Sequence, residues 1–136
     1  MKIAIVDDEE DLLTELSELI AGLGHEPVPI NDPRQAAGII VSDPAIRLAF
    51  VDLLMPTMSG TEVLAALRPL FAMPRRLHVI GMTGHGSVND LCRFTDAGAI
   101  ATMLKPFLAA EIGQKISNYL AEETERQETQ RLGSGP

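Results

Sequence analysis

Residues 3–8 read Ile-Ala-Ile-Val-Asp-Asp, and residues 48–52 read Leu-Ala-Phe-Val-Asp. Each stretch is a short apolar run that ends in acid, and such runs are typical of strands buried on both faces of a parallel sheet. Two similar apolar runs end at Thr83 and Lys105. Because strands of this kind need helices on both faces of their sheet, the repeated pattern predicts an α/β fold.

Helical patterns alternate with these strands. Apolar residues recur at spacings of three and four over residues 12–23 and again over residues 112–120. Ser59 and Glu62 have the capping-box spacing, which predicts a helix that begins near Gly60. The remaining predicted helices span about residues 33–41, opened by Asp32-Pro33, and a short segment from Ser87 to about Ala97.

A further strand is predicted around Val28 and Ile30, although Pro27 and Pro29 interrupt it. The two prolines are two residues apart, so the positions of their missing N–H groups lie on the same edge of the strand. The opposite edge of the strand can still form hydrogen bonds with a neighbouring strand. This arrangement predicts an edge strand. Five strands alternating with five helices predict a single doubly wound domain with an open parallel sheet.

The charge balance argues against one class of partner. The chain has 136 residues, with 11 Lys and Arg against 19 Asp and Glu, which gives a net charge of −8. An acidic surface repels DNA phosphate, and no basic patch is visible beyond Arg75-Arg76. Aromatic residues make up only 4% of the chain, so base-stacking platforms are not expected either. We therefore expect no direct binding of nucleic acid.

The cysteine count and the hydropathy pattern bear on location. A single cysteine, Cys92, excludes an internal disulfide framework and fits a reducing compartment. At an interior position of its short helix, it is expected to behave as a small apolar group. The sequence shows neither a signal peptide nor a membrane span, so we expect a cytoplasmic protein without membrane contact.

The polar residues at the strand ends are the candidate functional residues. In open parallel sheets, ligand sites form beyond the carboxyl ends of the strands. Asp7, Asp8, Asp52, Thr83 and Lys105 are therefore expected to converge. Clustered carboxylates favour a hard divalent cation such as Mg²⁺, and a lysine with a hydroxyl suits phosphoryl oxygens. The set is suited to phosphoryl transfer, in which a carboxylate can be the nucleophile.

Each of these residues also has a purely structural interpretation. Asp8 could cap a helix, and Asp52 could belong to a turn. Thr83 could stabilise a turn through its hydroxyl, and Lys105 could be a solvated surface lysine. The functional interpretation depends on their joint placement at four strand ends.

Four stretches resemble the signatures of the two-component response-regulator receiver domain. They are residues 5–9 (Ile-Val-Asp-Asp-Glu), 51–60 (Val-Asp-Leu-Leu-Met-Pro-Thr-Met-Ser-Gly), 82–84 (Met-Thr-Gly) and 104–107 (Leu-Lys-Pro-Phe). The resemblance covers residues 1–121. It implies a five-stranded sheet of order 2-1-3-4-5, which puts the second strand at an edge, as the prolines predict.

The resemblance also implies roles for the site residues. Asp52 would accept a phosphoryl group from the phosphohistidine of a sensor histidine kinase or a phosphotransfer protein. Asp8, Asp52 and the backbone carbonyl of Leu54 would bind Mg²⁺, with Mn²⁺ as an alternative, and Asp7 would act through water. Lys105 would pair with Asp52 and then with the phosphoryl oxygens.

The remaining implications concern the switch. Thr83 would move to hydrogen-bond the phosphoryl group, the peptide bond from Lys105 to Pro106 would be cis, and Leu54 and His85 would occupy positions that tune dephosphorylation. The chain departs from the family pattern at Thr102, where an aromatic residue usually stands. Threonine lacks the bulk to replace it. We therefore expect the loop after Thr83 and the following helix to communicate phosphorylation.

The C-terminal region leaves the output open. Residues 122–136 are predicted to form a charged helical extension with a linker tail, after a receiver domain over residues 1–121. The chain is either a stand-alone receiver acting through partner proteins, a second copy of itself among them, or a receiver cut from a longer chain with an output domain.

Two other function classes are considered as alternatives. A dehalogenase-like phosphatase also uses a strand-end aspartate, but it expects a second acid at the position of Leu54. A degenerate receiver would bind proteins without phosphorylation. On the receiver hypothesis the chain catalyses its own phosphorylation and dephosphorylation and is not a turnover enzyme on external substrates.

Overall fold

The computed structural model describes residues 1–84 and 88–133. Within those ranges the chain forms five strands and five α-helices. The strands are β1 (Lys2–Val6), β2 (Glu26–Ile30), β3 (Ile46–Asp52), β4 (His78–Thr83) and β5 (Ala101–Leu104). The helices are α1 (Glu10–Gly22), α2 (Pro33–Ser42), α3 (Gly60–Leu67), α4 (Val88–Asp96) and α5 (Ala109–Gly133). A turn of 3₁₀ helix, Arg68–Leu70, follows α3.

The five strands are parallel and have the order β2-β1-β3-β4-β5, which confirms the predicted topology. β2 lies at an edge, and its Pro27 and Pro29 pair in register with Ile3 and Ile5 of β1. The side of β2 that cannot donate hydrogen bonds therefore faces away from the sheet.

One face of the sheet carries a continuous core. Ala4 and Val6 of β1, together with Ala49 and Val51 of β3, pack in one buried cluster with side chains of α2, α3 and α4. The alternate strand residues point to the opposite face because side chains alternate along a strand. The strands are therefore apolar on both faces, as their continuous runs predict.

The predicted helix caps are present. The Asp32 carboxylate accepts a hydrogen bond from the Arg34 backbone N–H at 3.0 Å, at the start of α2. Ser59 Oγ accepts from the Glu62 backbone N–H at 3.3 Å, at the start of α3. These bonds satisfy amide groups that a helix start leaves without a partner. Ser87, the predicted start of the fourth helix, lies outside the described residues.

α5 belongs to a second compact unit, residues 107–136, and the sheet with α1–α4 belongs to the first, residues 1–106. The helix runs without a break through residue 121 to Gly133. Beyond residue 121 an ion pair joins Glu123 and Arg126 of this helix, with 2.6 Å between Glu123 Oε2 and the Arg126 guanidinium. Among the described residues, no helix combines the length and the apolar character that a membrane span requires.

The expectation for Cys92 was wrong, because this residue is exposed on α4. α4 buries a single residue of its described sequence, Phe94. A helix that covers a sheet with one side chain leaves most of its other positions in solvent, and Cys92 is one of these.

Candidate functional site

The structure brings the predicted strand-end residues to one edge of the sheet. Asp7 and Asp8 follow β1, Asp52 ends β3, Thr83 ends β4, and Lys105 follows β5. Backbone hydrogen bonds fix these ends side by side. The amide that follows Asp52 donates to the carbonyl before Thr83 at 2.8 Å, and the Lys105 amide donates to the Thr83 carbonyl at 2.7 Å.

Three carboxylates form the acidic part of the site. One oxygen each of Asp7, Asp8 and Asp52 lies within 4.8 Å of the others. Asp7 is fully buried and Asp52 is 4% exposed, whereas Asp8 remains open to solvent. Oxygen ligands at this spacing, with one open side, fit a hard divalent cation that keeps part of its water shell. The donor set therefore fits Mg²⁺ and could equally hold Mn²⁺.

The Lys105 ammonium lies between two of these carboxylates. Its Nζ is 2.8 Å from Asp7 Oδ2 and 3.4 Å from Asp52 Oδ2. Burial lowers the pKa of Lys105, but the hydrogen bond to Asp7 and the charges of Asp52 and Asp7 outweigh it, so the pKa lies above the usual value. Lys105 therefore carries a fixed positive charge, and its shorter contact is with Asp7 rather than with the predicted partner Asp52.

Asp52 is the carboxylate whose titration is most clearly perturbed. Burial, and next the charge of Asp7, raise the pKa of Asp52 to about 6, against the opposing charge of Lys105. The Leu54 backbone N–H also stabilises the carboxylate by a hydrogen bond. One lysine does not balance three acids, so the site as a whole favours additional positive charge.

The contacts around α1 exclude the interpretation of Asp8 as a helix cap. The first residue before α1 is Glu9, which makes no side-chain cap bond, so Asp8 is not the cap of this helix. Instead the Glu9 backbone N–H donates to Asp7 Oδ1 at 3.0 Å. Asp7 is thus held from both sides, by Glu9 and by Lys105, and Asp8 is left facing the open side of the cluster.

Three of the other predicted positions, Thr83, Leu54 and Thr102, lie among the described residues. Thr83 is fully buried, and Leu54, two residues after Asp52, is 53% exposed. The Lys105–Pro106 peptide bond is cis, as expected, and a second cis bond precedes Pro74. His85 lies outside the described residues. Thr102 is partly buried and pairs with Gly81 of β4.

A polar groove gives access to the exposed side of the site. It has a volume of about 350 Å³ and is lined by Asp8 together with Asn31, Arg34 and Thr57, among others. Its walls come from the loops after β1, β2 and β3 and from the first turn of α2. The groove leaves room for a small group to approach the acidic cluster from the Asp8 side.

The match to a family model decides the family. The model of the response regulator receiver domain matches residues 3–117. The chain belongs to the response-regulator receiver family. This membership agrees with the strand order and with the position of the acidic cluster at the carboxyl ends of the strands.

Relatives of two kinds are similar to this receiver chain. It is 33% identical to the transcriptional regulatory protein CpxR of Escherichia coli over 119 residues, which are 88% of this chain and 49% of CpxR. It is 28% identical to the sporulation initiation phosphotransferase F of Bacillus subtilis, over 88% of this chain and 93% of that protein. The chain spans about half the length of the CpxR relatives that it matches.

A solved structure of a receiver domain protein from Clostridium thermocellum has the same fold. The TM-score is 0.81 at 24% identity, over 90% of this chain and 96% of that one. A receiver domain of a LuxO repressor protein from Vibrio parahaemolyticus matches over 99% of this chain, with a TM-score of 0.78 at 23% identity.

Sequence reasoning missed three residues beside the site. Gly60 at the start of α3 and Gly81 in β4 both lie against the ring of Phe94 from α4, and Gly60 also lies against the Asp52 backbone carbonyl. One signal was available, because a glycine inside a buried strand often marks a close approach by another group. Which group approaches Gly81 depends on the tertiary structure.

Proposed function

We propose that this chain is a phosphorylation-controlled receiver in which Asp52 accepts a phosphoryl group from a phosphohistidine. The supporting observation is the position of Asp52. It is one of three clustered carboxylates, the cluster is open to solvent at Asp8, and the Asp52 carboxylate is 3.4 Å from the Lys105 ammonium. Phosphoryl transfer depends mostly on positioning and charge neutralisation, and these residues supply both.

The reaction exchanges one bond to phosphorus for another. An oxygen of Asp52 forms a bond to phosphorus, the bond from phosphorus to the imidazole nitrogen breaks, and that nitrogen keeps the electron pair. Mg²⁺, held by Asp8, Asp52 and the Leu54 carbonyl with Asp7 acting through water, would neutralise charge on the transferring group when bound. Lys105 stabilises the phosphoryl oxygens, and Thr83 donates a hydrogen bond to them. Water later hydrolyses the acyl phosphate.

In this proposal the donor is a sensor histidine kinase or a phosphotransfer protein in the cytoplasm. The chain catalyses its own phosphorylation and dephosphorylation and is not a turnover enzyme on external substrates. Its output follows either of two patterns. Relatives such as CpxR are about twice as long, whereas the sporulation phosphotransferase has nearly the length of this chain. The output is therefore either a domain joined to this one or a separate partner.

Acetyl phosphate with Mg²⁺ tests the proposal without knowledge of the kinase. Intact-mass measurement should show one added phosphoryl group that decays slowly. Asp52→Asn should abolish the addition, whereas Asp96→Asn, which changes an exposed carboxylate on α4, should leave it intact. Continuous release of phosphate without an adduct would indicate a phosphatase. Neither adduct nor release would indicate a receiver that binds proteins without phosphorylation.

A further inference from the structure

The one buried residue in the described part of α4, Phe94, packs directly on two glycines. A Cβ atom built on Gly81 would lie 2.8 Å from Phe94 Cδ2, and one built on Gly60 would lie 2.9 Å from Phe94 Cζ. Carbon atoms pack at about 3.5–4.0 Å, so a side chain at either glycine would collide with the ring. The ring therefore rests on backbone at both contacts.

The two glycines belong to the segments that carry the phosphoacceptor and the switch hydroxyl. Gly81 lies two residues before Thr83, on the same face of β4. Gly60 closes the loop after Asp52, because its N–H donates to the Leu53 carbonyl at 2.8 Å. A Cβ on Gly60 would also collide with the Asp52 carbonyl oxygen. Phe94 thus touches both segments without an intervening side chain.

The neighbouring strand adds a second observation. Thr102 of β5 pairs with Gly81, and paired residues of parallel strands point to the same face. Thr102 stands where the family pattern has an aromatic residue, and its side chain is small. Its partner on β4, Gly81, has no side chain at all. A ring from α4 occupies the space at Gly81 instead.

We infer that Phe94 is the positioning residue that couples phosphorylation of Asp52 to α4. The inference rests on the proposed function. When Thr83 moves toward a phosphoryl group on Asp52, the end of β4 shifts relative to the loop that Gly60 closes. Phe94 is fully buried, and close-packed cores have little free volume to absorb such a shift. The ring, and with it α4, is displaced to a new position.

A purely structural role would give Phe94 the same burial, so a matched control is needed. Phe71 provides one, because its ring packs on Gly98 in the same way. A Cβ on Gly98 would lie 2.8 Å from Phe71 Cδ2. Phe94→Leu and Phe71→Leu both remove a ring that rests on a glycine and keep an apolar side chain, Phe94 in the core and Phe71 in a partly buried position against it.

The test uses the full chain and two readouts. Intact mass after incubation with acetyl phosphate and Mg²⁺ reports the adduct. Amide NMR shifts of residues 90–95, recorded with and without beryllofluoride, report the response of α4. We expect the adduct in all three proteins. The α4 response should fall at least about threefold in Phe94→Leu, the size expected when a coupling residue is lost, and should persist in Phe71→Leu. Urea unfolding verifies that both variants fold.

The outcomes separate the two claims. Absence of an adduct in the unmodified chain would overturn the proposed function. An adduct together with an α4 response that Phe94→Leu leaves unchanged would overturn only the coupling role of Phe94. An equal loss of the response in Phe71→Leu would also overturn it, because any weakening of the core would then have the same effect. If Phe94→Leu does not fold, Phe94→Met replaces it, with the same expected loss.

Discussion

Lys105 and Asp7 form the shortest charged contact of the site, with 2.8 Å between Nζ and Oδ2. The distance from the same Nζ to Asp52 Oδ2 is longer, 3.4 Å. In the unphosphorylated site the lysine is therefore held mainly by a carboxylate that does not receive the phosphoryl group. The Lys105 ammonium would have to move only a short distance to contact a phosphoryl group on Asp52 in place of Asp7, because Asp52 is already 3.4 Å away.

Removal of the lysine should slow phosphorylation. Lys105→Met leaves the Asp52 and Asp7 carboxylates without their cation, so the pKa of Asp52 should rise further and the developing phosphoryl charge should lose a partner. We expect the rate of adduct formation with acetyl phosphate to fall about 10- to 100-fold. The matched control is Lys2→Met, since Lys2 also contacts an aspartate, Asp43, at 2.8 Å. Similar rates in the two variants would contradict the assigned role of Lys105.

The raised pKa of Asp52 predicts how stability depends on pH in the absence of metal. The pKa is about 6 in the folded chain against the ordinary 3.8, so the folded state holds this proton more tightly. The resulting stabilisation is complete below the ordinary pKa and is lost as pH rises through about 6. With EDTA present, Asp52→Asn should therefore be more stable than the unmodified chain at about pH 7.5, by about 2 kcal/mol.

Urea unfolding across this pH range measures the effect. The stability advantage of Asp52→Asn should shrink as pH falls from about 6, where Asp52 becomes protonated in the folded chain, and should vanish below about 3.8, where it is protonated in the unfolded chain as well. Asp96→Asn serves as the control and should change stability by less than about 0.5 kcal/mol at any of these pH values. An advantage of Asp52→Asn that grows toward acid pH would have the wrong sign for this account.

Metal binding should depend on the exposed acid. Asp8 faces the open side of the cluster, so Asp8→Asn removes a charged ligand without disturbing the buried pair of Asp7 and Lys105. We expect Mg²⁺ affinity, measured by calorimetry, to fall about tenfold or more. Glu10→Gln, a change of one acid in the first turn of α1, should leave the affinity nearly unchanged. Equal losses in both variants would indicate a general charge effect in place of a site.

Arg75 is predicted to stabilise the fold far from the site. Its guanidinium donates to four backbone carbonyls at the end of α2 and the start of β3. These are the carbonyls of Ile40, Val41, Asp43 and Ile46. Arg75→Ala removes these bonds and leaves partly buried carbonyls without them, so the free energy of unfolding should fall by about 2 kcal/mol. Arg76→Ala, which removes none of these bonds, should have a much smaller effect in the same urea titration.

Much of the fold was predictable because its signals are local. Continuous apolar runs identified the strands, and Pro27 with Pro29 identified the edge strand before any topology was known. The strand-end polar residues indicated the site because carboxyl ends of parallel strands share one edge of a sheet. Thus the edge position of β2 and the convergence of Asp7, Asp8 and Asp52 followed from short stretches of sequence, whereas the full strand order came from the family resemblance.

What escaped prediction depends on contacts between distant segments. In the sequence Arg75 was only half of a small basic pair, and its carbonyl partners lie 29 to 35 residues away. The preference of Lys105 for Asp7 depends on which carboxylate the folded backbone brings nearest. The meeting of Phe94 with Gly60 and Gly81 likewise depends on how α4 lies on the sheet. No local pattern specifies such contacts.

The central claim is that Asp52 is the phosphoacceptor, and peptide mapping of the acetyl phosphate product tests it most directly. The chain is incubated with acetyl phosphate and Mg²⁺, digested at acid pH and analysed by mass spectrometry. We predict that the added phosphoryl group is found on Asp52 and disappears in Asp52→Asn. A phosphoryl group on any other residue, or one that persists in Asp52→Asn, would contradict this account.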